Sequence, residues 1–132
     1  ATDYSKSMIQ TAKVKLKKKK VRKGNVHFGL LNMKNVSALN KKFDAIYCLF
    51  DSIGYLQNNA DILATLKGVY NSLNTGAVFI YEFWHAGAMI KGYDALRVKN
   101  FPLNNNSHIQ RIAETTLNLN NQTCAVKYTV TE

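Results

Sequence analysis

The chain has 132 residues and a mass of 14.9 kDa, with 46% hydrophobic and 20% charged residues, which fits one globular domain. No apolar run approaches the ~20 residues that a membrane-spanning helix needs, and the first ten residues do not resemble a secretion signal. The two cysteines, Cys48 and Cys124, belong to no metal-binding pattern, so we expect reduced thiols and no metal site. Together these features favour a cytoplasmic protein.

The net charge of +10 is concentrated in one segment. Residues 13–23, KVKLKKKKVRK, contain eight basic side chains and no acidic one, so the rest of the chain is close to neutral. Lysine lacks the planar donor fork with which arginine reads bases, and this disfavours a specific nucleic-acid partner. Non-specific attraction to polyanions stays open.

The predicted elements of the first two-thirds alternate between helix and strand. A helix runs from Ser5, its N-cap, to about Lys20 and ends at Gly24. The next predicted elements are a short strand over residues 26–31, a turn or short helical piece over 32–40 and a buried strand over 43–50. A second helix, opened by Asn58 or Asn59 and closed by Gly76, is followed by a buried strand over 77–83. This order predicts an α/β fold with a parallel sheet, and the apolar strands predict cover on both sheet faces.

The second helix carries the strongest periodic signal in the chain. Its apolar residues recur at helical spacing, namely Ile62, Leu63, Leu66, Val69, Tyr70 and Leu73. After Pro102 the pattern changes to period two over residues 107–117 and 123–131, with an asparagine-rich turn between them. This pattern predicts an antiparallel hairpin with one exposed face.

Ligands of open parallel sheets bind outside the carboxyl ends of the strands, so the residues at those ends are candidates for a site. Asp3 has the carboxylate that a ribose needs, or it is an acid favoured by the following helix dipole. Asn32 has the amide to read a purine edge, or it forms a local turn. Met8 suits contact with a planar ring, or it belongs to the core. The stretch Asp-Ser-Ile-Gly after residue 50 either admits a ligand to the backbone or is a plain turn.

Four segments, TDYSKSMIQTAK, FGLLNMKNV, FDAIYCLFDSIGYL and LNTGAVFIYEFW, resemble the class I S-adenosylmethionine-dependent methyltransferases in order and spacing. The resemblance implies a Rossmann-like parallel sheet with an antiparallel hairpin inserted after the family's fifth strand. The family's first strand with its Gly-rich loop, and its last two strands, have no counterpart here. We therefore expect residues 1–132 to form a partial domain in which residues 103–132 cover the substrate side.

The resemblance also implies roles for single residues. The positions matched to cofactor binding are Asp3 at the ribose, Tyr4 and Met8 around the adenine, Asn32 and Met33 at the adenine edge, and Leu49 and Phe50 along the methionine part. Asp51, Ser52 and Tyr55 match the loop that faces the methyl group, so Asp51 and Ser52 are expected to contact the substrate. Trp84 is a candidate wall of the substrate site or a core residue. The candidates for a general base are Tyr55, Glu82 and His85. Glu82 also suits a strand-end carboxylate paired with a lysine, and His85 also suits a loop position without a catalytic role. Two departures from the family pattern are Asn32, where an aspartate is usual, and Tyr55, where some members have a catalytic histidine.

The resemblance therefore implies methyl transfer from S-adenosylmethionine to an N or O atom of a small molecule, with S-adenosylhomocysteine as product. Among the closest subgroups are the N-methyltransferases that modify nucleotide-linked amino sugars. A homodimer is a further prediction for this protein. One alternative is a degenerate, non-enzymatic module that binds RNA or another polyanion through residues 13–23. Another is a dehydrogenase-like nucleotide-binding protein, which would require a GxGxxG loop before Asp3.

Overall fold

The computed structural model describes residues 1–18, 26–103 and 107–132. The chain packs as two compact units, an N-terminal unit, Ala1–Phe83, and a C-terminal unit, Trp84–Glu132. The predicted helix end at Gly24 and the second half of the basic segment 13–23 lie outside the described residues. Among the helices that the structure describes, none has the length and apolar character to span a membrane.

The N-terminal unit begins with strand β1 (Thr2–Asp3), helix α1 (Lys6–Lys18) and strand β2 (Gly29–Leu30). β1 and β2 pair in parallel, with Asp3 opposite Leu30. The hydroxyl of Ser5 accepts a hydrogen bond from the backbone N–H of Met8 at 3.4 Å, which confirms Ser5 as the N-cap of α1. β2 is shorter than the predicted strand over residues 26–31.

A second parallel pair follows in the same unit. A 3-10 helix (Met33–Leu39) leads to strand β3 (Phe43–Cys48), and a short 3-10 helix (Ser52–Tyr55) precedes helix α2 (Asn59–Ser72) and strand β4 (Leu73–Tyr81). β3 and β4 are parallel from Ala45 opposite Val78 to Cys48 opposite Tyr81. The predicted alternation of helices and parallel strands is confirmed.

Helix α2 begins where the sequence predicts and ends earlier. The side-chain oxygen of Asn58 accepts from the N–H of Asp61 at 2.9 Å, so Asn58 is the N-cap. The prediction that Gly76 closes the helix is wrong, because Leu73 is already extended and opens β4. Gly76, at φ 79°, instead lies in an irregular stretch where the pairing between β3 and β4 shifts register.

The buried face of α2 combines one residue of the predicted apolar stripe, Val69, with small residues from outside the stripe. Its buried residues are Thr65, Gly68, Val69 and Ser72. Gly68 lies so close to the 3-10 helix that an added Cβ would meet Val36 Cγ1 at 2.7 Å. Small side chains allow this close approach, and the stripe residues Leu63, Leu66 and Tyr70 consequently remain 52%, 38% and 78% exposed.

The prediction that both faces of the parallel strands are covered is also wrong for the described residues. Tyr47 of β3 is 61% exposed, and Val78 and Ile80 of β4 are 51% and 48% exposed. The buried hydrophobic side chains are Ile9, Val36 and Val69. The elements that pack closely in this unit, α2 against the 3-10 helix, leave much of the strand surface open.

The C-terminal unit is an antiparallel sheet preceded by helix α3 (Ala86–Lys91). Its strands are β5 (Leu96–Pro102), β6 (His108–Asn118) and β7 (Thr123–Thr131), in the order β5-β6-β7. The β6–β7 hairpin is the one that the alternating pattern predicts, and its turn is fixed by a hydrogen bond from Asn121 N–H to Asn118 Oδ1 at 3.1 Å. Neither β5 nor α3 was predicted from the sequence pattern.

Candidate functional site

The carboxyl edge of the β1–β2 pair brings Asp3 and Asn32 together. The N–H of Leu31 donates to the carbonyl of Asp3 at 2.9 Å, so Asn32 follows directly on the strand beside Asp3. The Oδ1 of Asp3 accepts from Ser5 N–H at 2.7 Å, which ties the carboxylate to the start of α1. The Oδ1 of Asn32 accepts from Lys34 N–H at 3.1 Å. Both side chains are half-buried and held by local hydrogen bonds.

Apolar side chains follow these two polar groups along the chain. Tyr4 is 77% exposed and Met8 is 57% exposed, whereas Met33, the first residue of the 3-10 helix, is half-buried. Exposed aromatic and thioether side chains are suited to contact with a planar ring. Tyr4 and Met33 directly follow Asp3 and Asn32, so apolar side chains lie next to the oxygen acceptors along the chain, which is a combination that a nucleoside requires.

The loop after β3 has a strained backbone. Phe50 and Asp51 both lie in the left-handed region, at φ 59° and 54°. A bulky side chain is rarely found there, and such conformations concentrate at functional sites. Ser52 closes the loop, because its N–H and its hydroxyl both donate to the carbonyl of Leu49, at 3.4 and 2.7 Å. Nothing in the sequence indicated this strain, since neither Phe nor Asp is the glycine that usually marks such a position.

Glu82 lies beside this loop. Its N–H donates to the carbonyl of Cys48 at 3.1 Å, which extends the parallel pairing by one residue beyond β4. Leu49 and Phe50 are 45% and 87% exposed. The carboxyl edge of β3 and β4 therefore places a carboxylate-bearing residue next to the loop that carries four of the predicted site residues, Leu49, Phe50, Asp51 and Ser52.

Two further groups near this loop differ in accessibility. Tyr55 ends the second 3-10 helix and is 83% exposed. Burial raises the pKa of the Cys48 thiol, a shift opposed by a backbone hydrogen bond from Ile53 and reinforced by the charge of Asp51. Cys48 therefore stays protonated at neutral pH and is not a nucleophile.

The remaining site predictions fall outside this unit. Trp84 and His85 belong to the C-terminal unit, where Trp84 is 66% exposed and His85 directly precedes α3. β1–β2 and β3–β4 are separate two-stranded sheets, so the predicted residues form one group at each carboxyl edge.

A cavity of about 270 Å³ lies at the opposite, amino ends of β3 and β4, and its lining includes Lys42 and Ser72. Among the described residues, no cluster of His, Cys, Asp or Glu could hold a metal ion.

Comparison with known proteins gives a consistent result. The family model of a methyltransferase domain matches residues 1–76. No curated protein matches the chain. A S-adenosylmethionine-dependent methyltransferase from Clostridium acetobutylicum is similar in structure, with 19% identity and a TM-score of 0.67 over 98% of this chain.

Two further solved structures have the same fold. A sugar N-methyltransferase from a Streptoalloteichus species has 14% identity and a TM-score of 0.66. An amino pentose methyltransferase from Micromonospora echinaspora, involved in calicheamicin biosynthesis and solved with S-adenosylmethionine bound, has 16% identity and a TM-score of 0.64. Each similarity covers 98% of this chain. The chain spans about half the length of these structures, 55%, 53% and 56% of the three chains.

Proposed function

Since the chain belongs to the methyltransferase domain family and has the Rossmann-like fold of S-adenosylmethionine-dependent methyltransferases, we propose that it serves in methyl transfer from S-adenosylmethionine to an N or O atom of a small molecule. The observation that carries this proposal is the pairing of β1 with β2, which puts Asp3 and Asn32 at one carboxyl edge. A small amino sugar is the proposed acceptor, supported by the sugar and amino pentose substrates named for two structural neighbours.

The donors and acceptors at this edge fit the nucleoside part of the cofactor. Asp3 uses Oδ1 for the Ser5 N–H, and its second oxygen remains an acceptor for ribose hydroxyls. Asn32 uses Oδ1 for the Lys34 N–H, which leaves its NH₂ group as the donor. Adenine presents ring-nitrogen acceptors on its edge, so an amide can serve where an aspartate would accept from the amino group. Tyr4, Met8 and Met33 would contact the ring.

S-adenosylmethionine, when bound, supplies a methyl group activated by its sulfonium charge. The protein has to position the acceptor, exclude water and remove one proton from the attacking amine or hydroxyl. We assign proton removal to Glu82, because it lies beside the strained loop of Leu49–Ser52 and carries a carboxylate. Tyr55 and His85 are the other candidates, and Asp51, Ser52 and Trp84 are proposed to contact the substrate.

Calorimetric titration with S-adenosylhomocysteine tests the proposal, after circular dichroism has established that the chain is folded. Asp3→Asn keeps the acceptor for Ser5 N–H and removes the negative charge, so it should weaken binding by about tenfold without changing the fold. Asp94→Asn, in the C-terminal unit, makes the same chemical change on an exposed ion pair and should leave affinity unchanged. No binding by the folded chain, or equal effects of the two variants, would contradict the proposed site.

The alternative module that binds RNA through residues 13–23 gains no support from these relatives, and we do not propose it. A cytoplasmic enzyme and a homodimer remain predictions. Light scattering after size-exclusion chromatography measures the oligomeric state directly.

A further inference from the structure

Arg111 is the most unusual side chain of the C-terminal unit. It lies on β6, the central strand, and its guanidinium carbon is 5.5 Å from the ring centre of Phe101 on β5 and 5.3 Å from that of Tyr128 on β7. Two aromatic contacts of this kind hold the planar guanidinium in place. Its Nε atom is buried and has no hydrogen-bond partner among the residues that the structure describes. A charged donor in this state is costly for a folded protein unless a partner supplies an acceptor.

A second cation lies directly across the sheet. Lys99 of β5 pairs with Arg111, so the two side chains are on the same face. Like charges directly opposite each other destabilise an antiparallel pair. Arg97, two residues along β5, is also on this face, and Asp94 offsets its charge at 3.5 Å. Asp94 precedes β5, and none of the strand residues on this face is acidic.

The other face of the same sheet differs in charge balance. Glu114 of β6 lies opposite Lys127 of β7, and their side chains form an ion pair at 3.5 Å. The lysine on that face therefore has a carboxylate partner across the strand, whereas Lys99 faces an arginine. This contrast within one sheet argues that the Arg111 face is arranged for an external anion rather than carrying incidental lysines.

We infer that Arg111, Lys99 and the flanking rings of Phe101 and Tyr128 form a binding site for the phosphate or diphosphate group of a small ligand. Arginine binds an oxyanion through two parallel N–H donors, and Nε with a neighbouring terminal nitrogen forms one such edge. Lys99 adds a mobile point charge on the same face. Tyr128 is 59% exposed and Lys99 is exposed, so both side chains have room to move aside as the anion reaches Nε. All these residues lie in the C-terminal unit, so the inference is independent of the proposed cofactor site.

Titration of the chain with inorganic pyrophosphate, followed by calorimetry and by the Nε–H resonance of Arg111, tests this site. The expected result is saturable binding that shifts this resonance. Arg111→Lys keeps the charge and removes the fork, and it should weaken binding by about tenfold. Lys99→Met should weaken it by about three- to tenfold, because one cation on the same face is lost.

Lys127→Met is the matched control, since it removes the same charge from the opposite face and should change affinity by less than about twofold. If Arg111→Lys fails to fold by circular dichroism, Lys99→Met and Lys127→Met still decide between the two faces. Equal weakening by these two variants would show diffuse attraction to a basic protein and overturn the inference. Absence of pyrophosphate binding, or binding to RNA with no pyrophosphate competition, would overturn it as well.

A parallel titration with inorganic phosphate distinguishes a site for a single phosphate from a site for a diphosphate. Tighter binding of pyrophosphate supports the diphosphate form, and equal affinities support a site for one phosphate.

Discussion

The polar side chains of the N-terminal and C-terminal units find their hydrogen-bond and charge partners in different places. In the N-terminal unit, polar side chains at strand ends are tied to the nearby backbone, as Asp3 is to Ser5 and Asn32 is to Lys34. In the C-terminal unit, side chains pair across strands, and one cation, Arg111, keeps an unsatisfied donor. The difference follows from geometry, since parallel strands gather their ends at one edge whereas antiparallel strands align side chains over their whole length.

The largest expected effect concerns packing in the N-terminal unit. Gly68→Ala places a Cβ 2.7 Å from Val36 Cγ1 and 3.1 Å from Ser37 Oγ, so α2 and the 3-10 helix must separate. We expect a loss of about 1–3 kcal/mol in the free energy of unfolding, measured by urea denaturation. Gly92→Ala is the control, because an added Cβ there meets nothing within 4 Å. If both variants lose the same stability, the close contact of α2 is not the cause.

The reactivity of the two cysteines tests the difference between the units, because each unit contains one cysteine. Cys48 of β3 is half-buried and has a raised thiol pKa, whereas Cys124 of β7 is exposed. At pH 8 we expect iodoacetamide to modify Cys124 faster by about tenfold, because the thiolate is the nucleophile and must be accessible. Mass spectrometry of digested protein measures both rates, and Cys124→Ser isolates the slow one. Faster modification of Cys48 would contradict the partial burial of this thiol.

The same raised pKa predicts a pH dependence of stability. A thiol whose folded pKa lies above its unfolded value binds its proton more tightly in the folded state. Its contribution is fully present below the ordinary thiol value of about 8.5 and is lost as the pH rises through the folded pKa. Cys48→Ala should therefore flatten the alkaline decline in the melting temperature, and Cys124→Ala should leave that slope unchanged.

Positive φ angles predict smaller effects of opposite sign at two positions, Phe50 in the loop after β3 and Gly76 in β4. Phe50→Gly should stabilise the fold by up to about 1 kcal/mol, because glycine accepts a positive φ without steric cost and Phe50 is 87% exposed. Gly76→Ala, at φ 79°, should destabilise it by about 1 kcal/mol. Thermal melts of the two variants measure both signs. A destabilised Phe50→Gly would mean that this side chain contributes more than its conformation costs.

The smallest effect is expected at the exposed ion pair of the C-terminal sheet. Glu114 and Lys127 are 53% and 78% exposed in their side chains, so solvent screens their attraction. Glu114→Gln should change the free energy of unfolding by less than about 0.5 kcal/mol, and less still in high salt. Denaturation at low and high salt measures this. A loss of several kcal/mol would show that cross-strand charge pairing is a principal source of stability in this unit.

The elements most accurately predicted from sequence are those with local causes. Asn58 and Ser5 were identified as caps because a side-chain oxygen satisfies a helix N–H within three residues. The β6–β7 hairpin followed from alternation and an asparagine-rich turn. The parallel order of the first strands followed from the alternation of apolar strands with helices. By contrast, β5 was not predicted, and all seven of its residues are exposed in the structure.

The candidate site was likewise predicted from the sequence only where its features have local causes. The sequence indicated which residues follow each strand, and the structure places Asp3 beside Asn32 and Glu82 beside the loop of Leu49–Ser52. It did not indicate that Phe50 and Asp51 are strained, because the cause lies in the path between two elements rather than in either residue. The position of Arg111 between Phe101 and Tyr128 was equally invisible, since these three residues come from three strands.

The sequence by itself determined the α/β order, the caps, the hairpin turn and the residues at the strand ends, because these depend on interactions within a few residues. Only the tertiary structure decided which face of α2 is buried, where the strand pairing shifts register near Gly76, and that the buried Nε of Arg111 has no hydrogen-bond acceptor among the described residues. Those outcomes depend on how closely distant segments approach. In α2 the close approach at Gly68 accompanies burial of Thr65, Val69 and Ser72, while Leu63, Leu66 and Tyr70 of the apolar stripe stay exposed.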